Sequence, residues 1–326
     1  MNKYIEKIER LPLRMINKLI YHGQRKPKGI ALMSGEELND FIYQGLMSDN
    51  PFMVARFGSI ELDAALYPYL CGLPLWKRYK LYAQKKIGFL RYTPEQAQHL
   101  MSPLCNNAGF FPNDISYLAK FSEKVRLEDT SCCCCCCCCC WNNEDLMIPF
   151  FNKDIRFAEL ADMEPYDYIH PWSRALAGKK VLVVHPFAET IEAQYQKREY
   201  LWQNPDVLPE FELHTIKAVQ SIAGEKVPYD TWFDALRHME QQMDAINYDI
   251  AIIGCGAYGF SLAAHAKRMG KKSVHLGGAT QILFGIKGKR WDELPAVNKF
   301  YNEYWVYPSA EDTPKHKERV EGGCYW

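Results

Sequence analysis

The sequence predicts an α/β fold, a Rossmann-like parallel sheet with helices on both faces. Three observations carry that expectation. Short apolar runs recur through the second half of the chain, segments of helical periodicity separate them, and one strand-to-helix junction carries a G-x-G-x-x-G glycine pattern. With 326 residues, 48% of them hydrophobic, the chain can bury a substantial core.

In the first half, Met1 to Gly29 places Ile5, Ile8, Met15, Leu19 and Ile20 at roughly helical spacing among Lys3, Lys7, Arg10, Arg14 and Lys18. A basic amphipathic helix follows. Its plainer use is packing on the protein body, and its charge also suits peripheral contact with an anionic membrane surface through residues 1–28. Ser34 with Glu37, and Thr93 with Gln96, are capping-box signatures that predict two helix starts. Between them Phe52 to Phe57 reads as a short strand ending at Gly58, with helical periodicity resuming at Ile60.

In the second half, strands are expected over 179–184, 211–218 and 249–253, helices over 189–202, 229–246 and 260–269, and a further strand ending near Leu276. Such βαβ alternation demands a parallel sheet with right-handed crossovers. Residues 30–172 and 173–326 form the two halves, with the boundary in Ser173 to Lys180. The two also suit one continuous domain.

Composition narrows the function classes. Lys plus Arg and Asp plus Glu both number 39, so net charge gives no reason to expect nucleic acid as a partner. No secretory signal is legible near Met1, and no stretch reaches the roughly 18 apolar residues of a membrane span, so a cytoplasmic protein is expected. Of 13 cysteines, nine form the unbroken run Cys132 to Cys140, leaving Cys71, Cys105, Cys255 and Cys324 as scattered thiols. Neighbouring side chains on a strand point to opposite faces, so such a run makes a poor metal cage and a poor disulfide framework. It reads as altered sequence standing where a buried strand would fit.

Chemistry concentrates at three places. Gly254-Cys-Gly-Ala-Tyr-Gly259 follows a strand and opens a helix, where glycines permit a tight turn and free N–H groups face a phosphate; Gly254, Gly256 and Gly259 are its candidates. Close strand-to-helix packing is the rival reason for the same glycines. No Asp or Glu occurs from Gly254 until Asp292, whereas an NAD enzyme places an acid about 20 residues on. The interval instead carries Gly277, Gly278, Thr280 and Gln281, then Lys287, Lys289 and Arg290, a set suited to a diphosphate. In Arg56-Phe-Gly-Ser-Ile-Glu61, Arg56, Gly58 and Ser59 could hold an anion, while Glu61 could serve as base, as metal ligand or in an ion pair with its arginine. His185, at a strand end, is a further candidate beside the plainer reading as a satisfied structural histidine.

These stretches, together with His275 to Trp291 and Asn302-Glu-Tyr-Trp305, resemble the GT-D fold family of bacterial glycosyltransferases over roughly residues 50 to 326. The resemblance implies transfer of a sugar from a nucleotide-diphosphate donor, a UDP-sugar in the first instance, to a cell-surface glycan, lipid-linked or protein acceptor at the inner face of the membrane. It implies Glu61 as the leading catalytic carboxylate and Glu303 as the second. The family's R-x-G-D-G-E motif assigns an Asp-x-Glu pair to Mn²⁺ or Mg²⁺. Ser59 replaces that Asp here, which leaves Glu61 as a weak metal ligand and the cations as the alternative means of neutralising the diphosphate. A strand leading to a tryptophan like Trp141 also belongs to the family, in line with the reading of the cysteine run. The rivals are an NADP-dependent oxidoreductase and a nonenzymatic nucleotide-sugar binding protein.

Overall fold

The computed structural model describes residues 31–56, 132–135, 156–220, 227–315, 317–319 and 323–326. Its strands are β1 (Leu32–Met33), β2 (Phe52–Arg56), β3 (Cys132–Cys135), β4 (Arg156–Glu159), β5 (Lys180–His185), β6 (Glu212–Lys217), β7 (Ile250–Ile253) and β8 (Lys272–His275). They form one eight-stranded sheet in the order β1-β4-β3-β2-β8-β7-β5-β6, parallel at every pairing. The sheet crosses the Ser173 to Lys180 boundary, because β2 pairs with β8, Val54 opposite Val274. Part of the cysteine run is indeed a strand, β3, seated between β2 and β4.

The helices are α1 (Gly35–Met47), α2 (Ala188–Tyr195), α3 (Arg198–Leu201), α4 (Trp232–Asp244), α5 (Gly259–Arg268), α6 (Ala279–Leu283), α7 (Lys289–Asp292) and α8 (Pro295–Asn298). The period-2 alternation of each strand sends side chains to two faces, and both are buried. On one face Val54, Val181, Val183, Ile250, Ile252 and Val274 join a core with Leu38, Ile42 and Leu46 of α1 and Ile191 of α2. On the other, α5 packs on β2 and β8, and Ser273 donates its hydroxyl to the Ala263 carbonyl at 2.9 Å. Helices therefore cover both faces. β6 lies at the edge and is correspondingly more exposed than β5 or β7.

Several expectations change in detail. Ser34 precedes α1 but makes no side-chain cap; instead the Gly35 N–H donates to Asp162 Oδ2 at 2.8 Å, a charged acceptor at the positive end of the helix. The single helix expected over 189–202 is broken into α2 and α3. Gln194 turns inward to donate to the carbonyls of Gly285 and Tyr304, and Trp202 donates to the Leu283 carbonyl, so tertiary partners outweigh helical continuity. Thr231 caps α4 by accepting from the Asp234 N–H, so the helix starts at Trp232 rather than at Tyr229. Strand β1 is only two residues long, and β4, Arg-Phe-Ala-Glu, lacks the continuous apolar run that marks β7, so neither stood out. The N-terminal helix, the Thr93 start, Trp141, Cys71 and Cys105 lie outside the described residues. Cys255 and Cys324 are buried free thiols, and among the described residues no helix is long and apolar enough to cross a membrane.

Candidate functional site

Strand order locates the site before any side chain is considered. From β5 the chain moves outward to β6 and then returns to the opposite side of β5 to lay down β7, so the connections leaving β5 and β7 diverge. Open parallel sheets form their ligand crevice at such a switch point, beyond the carboxyl ends of the strands. A cavity of about 170 Å³ occupies that place. Its walls are Arg56 at the end of β2, His185 at the end of β5 with Pro186 and Phe187, Val219 and Gln220 after β6, Gly254 to Gly256 after β7, His275 at the end of β8 with Gly277 and Gly278, Gln281, and the pair Tyr325 and Trp326.

Arg56 is the lysine or arginine that lines this cleft among the described residues. Its Nη1 donates to the Leu276 carbonyl at 3.3 Å, and its guanidinium lies across Gly277. A Cβ on Gly277 would stand 3.2 Å from Cζ and Nε, and the residue has φ of +65°, so both space and backbone favour glycine there. The rest of the loop is pinned from below: Gln281 Nε2 donates to the carbonyls of Lys287 and Tyr325, which fastens the Tyr325-Trp326 wall to α6. Trp326 itself donates to the Asp312 carbonyl at 3.0 Å and packs edge-on to Phe187.

The three glycines of the G-x-G-x-x-G pattern have separable reasons. Gly256 has φ of +57° and begins a short 3₁₀ turn into α5, a tight-turn role. Gly254 and Gly259 are packing glycines. A Cβ on Gly254 would lie 2.6 Å from both the Gly277 carbonyl oxygen and Thr280 Oγ1, and one on Gly259 would lie 2.2 Å from His275 Nε2. The Gly254 and Gly277 N–H groups are also spent, on Val184 and Ile253. Gly259→Ala is therefore expected to destabilise the fold by about 1–3 kcal/mol through overpacking against His275. Urea unfolding of Gly259→Ala, His275→Ala and the double variant tests this, with a double-variant loss smaller than the sum of the singles as the expected result.

Both histidines of the cleft are buried and neutral. Burial pushes His185 down to about 3, and its Nδ1 accepts the Phe187 N–H at 3.0 Å, which leaves Nε2 as the protonated nitrogen. Burial likewise pushes His275 down to about 3, the Arg56 guanidinium adds to the effect, and a backbone hydrogen bond at Arg56 opposes it. His275 Nδ1 and Thr280 Oγ1 find no hydrogen-bond partner among the described residues.

Not every candidate converges. Thr280 is fully buried behind Gly254 rather than on the wall. Lys287 holds its ammonium over the rings of Tyr301 and Tyr307, 5.3 and 5.9 Å from their centroids, and Lys289 is exposed. Arg290 is not on the cleft wall itself; it lies over the ring of Tyr325 at 4.8 Å and donates to its hydroxyl. Trp291 is a core residue beneath Gly278. Glu303 is exposed beside the stacked Tyr200 and Tyr304 rings, away from the cleft walls. Gly58, Ser59 and Glu61 lie outside the described residues.

Two features escaped the sequence reading. The aromatic pair Tyr325-Trp326 was a visible signal without a visible location. Glu164, a partly buried carboxyl after β4, carried no motif, yet burial pushes it up to about 7 against the lowering influence of Arg56, with Asp167 adding to the rise. Glu164 is not among the residues that line the cleft.

The architecture defines an α/β protein of Rossmann-like type with a cleft at its topological switch point. Comparison with protein families, curated proteins and solved structures finds no match to this chain.

Proposed function

We propose that the protein is a glycosyltransferase that takes a sugar from a nucleotide-diphosphate donor, a UDP-sugar in the first instance, and passes it to a hydroxyl of a glycan, lipid-linked or protein acceptor. The observation that carries this reading is Arg56, aimed into a glycine-walled cleft at the switch point with its guanidinium across Gly277. A planar fork of donors in a partly desolvated crevice suits a diphosphate, and glycine walls let phosphate oxygens approach the backbone closely. The resemblance to GT-D enzymes supplies the sugar.

Mn²⁺ and Mg²⁺ prefer hard oxygen ligands. Among the described residues the cleft offers an arginine, two neutral histidines and the amides of Gln220 and Gln281, and no carboxylate side chain lines it. That donor set does not fit a Mn²⁺ or Mg²⁺ site, so the leaving diphosphate is assigned to Arg56 and no step is routed through a metal. Calorimetry with UDP and with UDP-hexoses, each in Mn²⁺ and in EDTA, tests the reading. UDP is expected to bind in both, with affinities within about threefold, since a single charge-assisted contact already contributes 1.5–3 kcal/mol, roughly ten- to a hundredfold. No UDP binding under either condition overturns the proposal.

A further inference from the structure

We infer that His185 selects the nucleobase of the donor: its Nε2–H donates to the carbonyl oxygen at C4 of a uracil ring, and an amino group at that position is refused. The inference rests on the nucleotide-diphosphate reading above and names the base. It starts from the order in which strand ends meet the cleft, Arg56 on β2, then β8, β7, β5 with His185, and β6. The Arg56 guanidinium lies across Gly277, after β8, so it and His185 stand about two strand spacings apart, roughly 10 Å. Gly254, after β7, fills the interval: a Cβ there would lie 2.6 Å from the Gly277 carbonyl oxygen and 2.7 Å from His185 Cδ2. A glycine floor thus joins the two residues, and a nucleoside diphosphate laid along it brings its base to His185 when its phosphates are at Arg56.

The two ends differ in chemistry. Apart from Arg56, no charged side chain lines the cleft among the described residues. The His185 end is walled by Phe187, Val219 and Trp326, and Phe187 packs edge-on to both His185 and Trp326, with centroids 4.9 and 6.0 Å apart. Apolar walls with a few neutral polar tips suit a planar heterocycle better than a phosphate. His185 and Gln220 supply those tips. Among the described residues neither the His185 Nε2 nor the Gln220 amide has a hydrogen-bond partner.

The two tips are not equivalent. Gln220 carries donor and acceptor on a rotatable amide, so it meets a ligand group of either polarity. His185 does not, because the Phe187 N–H occupies its Nδ1 at 3.0 Å and Nε2 must carry the proton. The ring is held in place as well: it is 4% exposed, and its Cδ2 edge, next to Nε2, faces Gly254. Burial keeps it neutral, so the same donor is presented throughout the neutral range. A fixed, buried donor pairs with the uracil oxygen. It meets the amino group of cytosine donor to donor, which leaves both groups unpaired.

Calorimetry with UDP, CDP and inorganic pyrophosphate on wild type, His185→Phe and His185→Asn tests the inference. Wild type should bind UDP about 10- to 100-fold more tightly than CDP. His185→Phe removes the donor and should bring UDP down to the level of CDP while leaving pyrophosphate affinity unchanged. His185→Asn keeps an acceptor for the Phe187 N–H in an Asx turn, and with it the local fold, but stops short of the Nε2 position and should lose most of the preference. A merely structural role would lower all three affinities together and leave the UDP to CDP ratio intact. Equal binding of UDP and CDP by wild type, an unchanged ratio in the folded variants, or a loss that extends to pyrophosphate would overturn the role of His185 and leave the nucleotide reading standing. A wild type that binds neither nucleotide overturns both together.

Discussion

Between pH 7.5 and pH 5 the Glu164→Gln variant is expected to lose about 4 kcal/mol of unfolding free energy, about 2 kcal/mol from each of the two cleft histidines. His185 and His275 are held near 3 in the fold against an ordinary value of 6.5, chiefly by burial. As pH falls below 6.5 the unfolded chain takes up protons that the fold refuses, so the stability present above 6.5 is lost progressively toward pH 3. Glu164 works in the opposite direction. Its folded value of about 7 lies above the ordinary 4.5, so below pH 7 the fold takes up a proton before the unfolded chain does. That offsets about 2 kcal/mol at pH 5 and leaves wild type with roughly half the variant's loss. Urea titrations at the two pH values, with His185→Gln and His275→Asn added singly in the Glu164→Gln background, read each contribution. A flat pH response in Glu164→Gln would contradict the burial of neutral imidazoles.

Arg56→Gln is expected to weaken UDP binding by about 10- to 100-fold, the loss of a charge-assisted contact worth 1.5–3 kcal/mol. Arg56→Lys should recover only part of it, because an ammonium keeps the charge without the planar fork that can grip two phosphate oxygens. The fold should survive both changes, since among the described residues the Arg56 side chain makes one hydrogen bond, 3.3 Å to the Leu276 carbonyl, and it lies at the end of an already paired strand. Calorimetry on variants with wild-type thermal unfolding measures the change. An unaltered UDP affinity in folded Arg56→Gln would remove the diphosphate from this cleft.

Where local pattern and tertiary demand agree, the residues announced the structure. The run from Lys180 to His185 is almost wholly buried because both faces of a parallel sheet are covered, and it reads from composition alone as a continuous apolar strand. The turn at Gly256 was legible because left-handed backbone is costly for other residues. The diphosphate candidates were partly separable in the same way: Gly277, Gly278 and Gln281 line the cleft with Gly254 and Gly256, whereas Lys287 is drawn onto two tyrosine rings whose positions depend on Asp292.

By itself the sequence determined what one-dimensional spacing can encode: the alternation of strand and helix, the parallel sheet, and glycines at the turns where backbone must bend or pack closely. Tertiary structure alone decided the strand order, and with it the switch point between β5 and β7 that makes the cleft. It also brought Arg56 onto Gly277, more than 200 residues away, carried the Tyr166 hydroxyl to the Ala279 carbonyl, and closed the wall with Tyr325 and Trp326. The physical reason is that side-chain periodicity reports only which face of an element is buried. The neighbour that buries it is chosen by packing and hydrogen bonding among segments distant in the chain, and these leave no local signal.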